Sequence, residues 1–289
     1  MNIRIATGAA FAAVVLLASA ATFAAGPGAV RKQVEASMLV TGRIQVDTSG
    51  KVSGYSLDQK DKLPPGVVSM VDKAVPNWEF KPVLIDGKAT NVTTDMSIRV
   101  VAKKIDADNY SVAIRSAGFG DRSGKPGERI RTVSMAPPDY PESAARAGVT
   151  GTVYLLVRAG RDGTVIDAIA EQVNLKVVAD ENSMAKWRRL LGDTSIRQAR
   201  RWTFSPPTEG DDAKHDFWIV RVPVVFSLDD PRSAKAEYGR WEAYIPGPRQ
   251  ANPWEKHEEG TAFSPDTLAP GGAYLAGAGL KLLTELSGS

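Results

Sequence analysis

The stretch that decides the fold reads Pro137-Pro138-Asp139-Tyr140-Pro141-Glu142-Ser143-Ala144-Ala145-Arg146-Ala147-Gly148, and it leads through two strand-like runs and a helical run to a valine-rich close at Phe226. Pro141 bars Tyr140 from the α region, whereas Glu142 to Ala147 are good helix formers that a proline can start. A bend therefore enters one short helix, closed at Gly148. Thr152 to Val157 and Thr164 to Ile169 are mostly β-branched or aliphatic, and Gly160-Arg161-Asp162-Gly163 between them supplies the left-handed positions of a tight reversal. This is a β-hairpin.

Residues 182–202 carry helical spacing, with Trp187, Leu190 and Leu191 on one face and Ile196, Ala199 and Trp202 on the next. Gly192 predicts a split between them. Ser195 with Gln198 three residues on has the form of a capping box that restarts the helix after Asp193, so two short helices are expected. The last run, Asp216 to Phe226, puts Trp218, Val220, Val222, Val224 and Phe226 on one face and Phe217, Ile219, Arg221 and Val225 on the other. Pro223 brings no amide hydrogen, and prolines in sheets are largely confined to edges or bulges. The run therefore reads as an edge strand, whose unpaired N–H and C=O groups allow a partner peptide to add as one more strand.

These elements together resemble the C-terminal domain of TonB, the periplasmic part of the energy transducer that serves bacterial outer-membrane transporters. The resemblance implies a non-enzymatic protein that acts by contact, gripping the short N-terminal peptide of a TonB-dependent transporter by strand addition. Pro138, Tyr140 and Pro141 are then expected near the contact, with Trp218, Val220, Val222, Val224 and Phe226 along the docking strand. The likeness is strong over residues 137–228.

A weaker copy precedes it. Met38 to Val46, the turn Asp47-Thr48-Ser49-Gly50 and Lys51 to Leu57 repeat the hairpin. Val67 to Val75 has helical spacing and ends at Pro76, and Trp78-Glu79-Phe80-Lys81-Pro82 echoes Trp202-Thr203-Phe204-Ser205-Pro206. Met96, Ile98 and Val100 alternate in a closing strand, but residues 27–37 hold no Tyr-Pro element. The expected class is α+β, with two ββαβ units in tandem at residues 30–102 and 137–228, each a small antiparallel sheet packed on a helix. Residues 103–136 read as a linker, with an extra strand at Tyr110 to Arg115. Residues 229–289 read as an irregular, proline-broken tail in which Trp241, Tyr244, Ile245 and Trp254 offer something to bury and Ala273 to Leu286 suits a short helix.

Arg4 followed by the apolar run Ala6 to Ala25 reads as an export signal with a small-residue cleavage region. A run of about 20 apolar residues also suffices to span a bilayer, so a cleaved signal and a retained inner-membrane anchor both stand. The chain has no long Pro-rich, charge-alternating spacer of the kind the resembled transducer carries. A link to the inner-membrane proton-driven complex follows only if residues 1–25 are retained.

The 289 residues are 43% hydrophobic and 24% charged with a net charge of +3, ordinary for a globular protein and without the basic excess that nucleic acid asks for. The absence of cysteine excludes disulfides, thiolate catalysis and Cys-ligated metals. Ser183-Met184-Ala185-Lys186 fits Ser-x-x-Lys, but the companion Ser-Asp-Asn and Lys-Thr-Gly motifs are missing. His215 and His257 stand apart and read as surface residues, and Asp106-Ala107-Asp108-Asn109 lacks the Gly and Glu that complete a calcium loop. Arg188, Arg189, Arg197, Arg200 and Arg201 read as the solvated face of the helix, with an acidic partner as the alternative. No cofactor, metal or small-molecule substrate is expected. Two further functions stay open: an envelope scaffold whose domains cover each other's edges, and, remotely, a serine acyl enzyme using Ser183 and Lys186.

Overall fold

The computed structural model describes residues 34–85, 87–106, 109–120, 126–228, 238–254 and 262–286. The N-terminal run read as signal or anchor lies outside the described residues, as does His257. The first unit runs β1 (Glu35–Val46), β2 (Val52–Leu57), α1 (Pro65–Ala74), a small exposed hairpin of β3 (Leu84–Ile85) and β4 (Lys88–Ala89), β5 (Val92–Lys104) and β6 (Tyr110–Phe119). Strand β1 pairs antiparallel with both β2 and β5, and β6 pairs with the far side of β5. Helix α1, opened by Pro65, sets Val67 and Val71 against Met38, Val40, Ile44, Ile98 and Val100.

The second unit runs β7 (Arg131–Ser134), α2 (Glu142–Arg146), β8 (Gly151–Gly160), β9 (Val165–Leu175), α3 (Glu181–Ala199), β10 (Thr203–Ser205) and β11 (Phe217–Phe226). Strand β8 is central, flanked by its hairpin partner β9 and by β11, and α3 covers one face of the sheet. The tail adds β12 (Glu242–Tyr244), paired with the start of β1, and β13 (Tyr274–Leu275), paired with β11.

Both units use one local construction. Gly163 has φ +79° and a Cβ placed on it would lie 1.9 Å from the Phe204 carbonyl oxygen; Gly50 has φ +87° and a Cβ there would lie 2.1 Å from that of Phe80. Only a residue without a side chain lets the Phe of each Trp-x-Phe-x-Pro run dock on its hairpin turn. The Phe204 and Phe80 amides donate to the Gly163 and Gly50 carbonyls, both at 2.8 Å. Trp78 and Trp202 are buried in their respective cores.

The structure corrects three expectations. Helix α3 is continuous across Gly192. That glycine faces β9, where a Cβ would stand 3.4 Å from the Ala170 Cβ, so close packing offsets the roughly 1 kcal/mol that glycine costs a helix. The helix is capped at Asp180, whose carboxylate accepts from the Ser183 amide and hydroxyl at 3.0 and 2.6 Å. Ser195 opens no second helix; its buried hydroxyl donates back to the Leu191 carbonyl at 2.8 Å, the mid-helix habit of serine.

The segment 103–136 is more than a linker, because β6 completes the first sheet through nine register pairs with β5. The expected helix at Ala273 to Leu286 is also absent. There the chain runs extended, since its glycines disfavour a helix and its apolar residues find partners on both units.

The tail stitches the two units together. Residues 263–268 wedge between them: Arg99 of β5 donates from Nε to the Asp266 carbonyl at 3.0 Å, while the Phe263 ring lies 4.8 Å from the Arg221 guanidinium of β11. Asp266 and Thr267 are fully buried. Leu280, Leu282 and Leu286 then sink into the first core.

Candidate functional site

Strand β11 is held along its whole length by β8, from Phe217 opposite Gly160 to Phe226 opposite Gly151. Its other edge faces away from the β8–β9 hairpin. The Ile219 carbonyl accepts from the Ala276 amide at 2.8 Å on that outer side. Backbone groups of alternate residues point to the same edge, so Ile219, Arg221, Pro223 and Val225 all face outward. The missing amide hydrogen of Pro223 therefore costs the β8 ladder nothing.

On this edge lies the chain's own β13, with Leu275 opposite Val220 and Tyr274 opposite Arg221. Its hold ends there. Among the described residues no backbone group outside the sheet bonds to Pro223 or Val225. A cleft of about 380 Å³ opens beside Val225, lined by Tyr154, Phe226, Tyr238, Leu268 and Pro270 among others, while Pro223 is buried.

The sequence-predicted residues divide in two. Trp218, Val220, Val222, Val224 and Phe226 lie between 0 and 8% exposed in the core under α3. Their side chains are closed to a partner, because the two-residue period that groups them is the period that turns them inward. What β11 offers outward is backbone.

Tyr140 does come to the strand: its ring meets Phe226 edge-on at 5.3 Å, and its hydroxyl donates to the Val149 carbonyl. Burial pushes its phenol up from the usual value. The approach is fixed by Trp202, whose indole N–H donates to the Ala136 carbonyl at 2.8 Å. Pro138 and Pro141 are half-buried beside it. The Tyr-Pro element thus stands at the Phe226 end of β11, the end that β13 leaves open.

Sequence reasoning missed the charged cluster on the opposite face of the same sheet. Glu171, 1% exposed, accepts from Arg221 Nε at 2.8 Å and from Arg249 Nη2 at 2.7 Å. The signal was present: Glu171 and Arg221 each interrupt an apolar strand on the face that α3 does not cover. The tail supplies the rest of the covering. Ile245 bridges Leu175 at the end of β9, and the Gln250 amide donates to the Glu171 carbonyl at 2.7 Å.

The other motifs resolve locally. Ser183 lies in the first turn of α3, with its hydroxyl committed to the Asp180 cap. His215 lies 3.6 Å from Asp212. The Asp106 carboxylate accepts from the Asn109 backbone amide and side-chain amide. Arg188 donates to the Val173 and Pro246 carbonyls, and Arg200 approaches Asp167 at 3.8 Å. Among the described residues no group of three or more His, Asp and Glu is placed to hold a metal, and no helix is long and apolar enough to cross a membrane.

Comparison with known proteins bears on one part of the chain. Residues 136–228 match the family described as "Gram-negative bacterial TonB protein C-terminal". "Protein TonB" of Xanthomonas campestris pv. campestris (strain B100) is 34% identical over 101 residues, covering 35% of this chain and 39% of that protein. "Protein tonB2" of Pseudomonas aeruginosa is 30% identical over 92 residues, covering 32% of this chain and 29% of its own length. The chain thus spans well under half the length of the curated relatives it matches. No solved structure matches it. Residues 136–228 form a domain of that family.

Proposed function

We propose that this chain, carrying a TonB C-terminal domain at residues 136–228, is an exported, non-enzymatic protein that takes the extended N-terminal peptide of an outer-membrane transporter as an added strand along β11. The observation that carries this reading is β13. A segment of the chain itself already sits on that edge as an antiparallel strand, so the edge has the geometry and apolar flanks that strand addition needs. Pro138, Tyr140 and Pro141 would flank the incoming strand at the Phe226 end. The protein would act in the periplasm in energy-coupled transport, and it would reach the inner-membrane proton-driven complex through residues 1–25 if these are retained as an anchor. The first unit we read as a divergent second copy of the domain, supported by the matching Gly50–Phe80 and Gly163–Phe204 docking.

A second reading, the envelope scaffold, draws support from the tail, which covers part of β11 and meets β9 at Leu175. Cross-linking separates the two. The chain has no cysteine, so Val225→Cys carries a unique thiol on the open end of β11. A transporter N-terminal peptide bearing one cysteine is expected to form a disulfide there and not with Ile85→Cys, an exposed position on the first unit. No disulfide, or equal yield at both positions, would leave the scaffold reading standing.

A further inference from the structure

We infer that Tyr274-Leu275-Ala276 is a built-in competitor for the partner's place on β11, and that its pattern defines the peptide class this edge accepts: an uncharged extended segment with a large apolar residue followed by a small one. This rests on the strand addition proposed above. Leu275 stands opposite Val220 and packs against the second core. Tyr274, on the other face, stands opposite Arg221. Ala276, 8% exposed, closes a small cluster with Leu156 and Ile219, against which Trp254 and Phe217 pack. A bulky residue in place of Ala276 would overfill that cluster, and a charge at the half-buried Leu275 position would be set against the apolar second core.

The competitor is weakly latched yet firmly moored. Upstream, Asp266 and Thr267 are fully buried; downstream, Leu280 and Leu282 are buried in the first core. Between these moorings the chain reads Leu268-Ala269-Pro270-Gly271-Gly272-Ala273-Tyr274-Leu275-Ala276-Gly277-Ala278-Gly279. Among the described residues its backbone hold on β11 is two register pairs and the Ala276 amide bond. The segment can therefore peel away without unseating either end, a local opening that costs far less than unfolding. The first unit differs. There β6 closes the outer edge of β5 through nine register pairs, so of the two corresponding edges the one on β11 is the exchangeable one.

Affinity for an extended peptide should then be reduced by the fraction of time the edge is closed. The test uses the full chain and a synthetic transporter N-terminal peptide, with affinities measured for wild type, Ala276→Pro and Leu275→Ser. Ala276→Pro removes the amide that bonds Ile219, and Leu275→Ser weakens the packing beside Val220. Each is expected to tighten peptide binding by about tenfold, the scale of one net hydrogen bond or a partly buried leucine. Hydrogen exchange supplies the folding control: the amides of Val220, Val222 and Val224, which face β8, should stay protected while that of Arg221, opposite Tyr274, exchanges faster. Equal affinity in all three proteins would overturn the competitor and leave strand addition intact. Absence of binding in all three would overturn strand addition itself, and the competitor with it.

Discussion

Removal of residues 280–289 should unfold the first unit and spare the second. The deletion takes away Leu280, Leu282 and Leu286, which are 7, 3 and 7% exposed in the first core. It also removes the Lys281 carbonyl that accepts from the Lys81 amide at 2.9 Å and the Leu283 amide that donates to the Glu79 carbonyl at 2.8 Å. Burial of a leucine stabilises by roughly 2 kcal/mol, so the three together approach about 6 kcal/mol, an upper estimate because the denatured chain already buries some apolar surface. A typical domain has only about 5–15 kcal/mol to lose.

Among the described residues the second core contains none beyond Leu275, and it should keep its stability. Residue-resolved hydrogen exchange reads both at once. Amides of β1 and β5 are expected to exchange roughly four orders of magnitude faster in the shortened chain, with β8 and β9 unchanged. Protection in β1 and β5 that falls less than about tenfold would refute the argument that the tail completes the first core.

Three further perturbations follow from the same geometry. Gly163→Ala and Gly50→Ala should each cost more than about 2 kcal/mol in urea unfolding, since a left-handed φ and a clash with a Phe carbonyl act together at both turns; a tolerated alanine at either turn would contradict the shared construction. Glu171→Ala should cost about 3–5 kcal/mol, because it removes the buried carboxylate on which Arg221 and Arg249 converge, and a loss below about 1 kcal/mol would mean that solvent reaches the cluster.

Burial pushes the Tyr154 phenol up to about 12 from 10.0. The folded state thus holds this proton more tightly than the unfolded chain, so its contribution is fully present below pH 10 and lost as the pH rises from 10 toward 12. Tyr154→Phe should flatten that alkaline limb of the stability profile, and an unchanged limb would place the loss elsewhere.

The elements were legible wherever chemistry is local. Pro141, Gly148, Gly163 and the alternation from Trp218 to Phe226 each force a backbone choice within a few residues, and the bend, hairpin and closing strand follow. Gly192 misled because the propensity cost of a glycine is local while its benefit, contact with Ala170 of β9, is tertiary. The edge of β11 that faces away from β8 was readable from Pro223, although β13 makes β11 an inner strand over Val220 and Arg221 rather than the edge strand expected. Its occupant was not, because Tyr274 to Ala276 lies about fifty residues later in a stretch whose glycines and prolines carry no strand period. The same alternation that identified the strand turns Trp218, Val220, Val222, Val224 and Phe226 inward, so any docking along it falls to the backbone. Glu171 and Arg221 were visible as charges in apolar strands, but their meeting with Arg249 depends on the path of the tail.

The central claim is that β11 receives an extended partner on its outer edge. It is tested most directly by mapping amide chemical-shift changes on the isotope-labelled full chain during titration with a transporter N-terminal peptide. The account predicts changes at Ile219, Arg221 and Val225, at Tyr140 beside the open end, and at Tyr274 to Ala276 as they leave the edge. Changes that spare β11 and Tyr274 to Ala276, or no change anywhere on the chain, would contradict it.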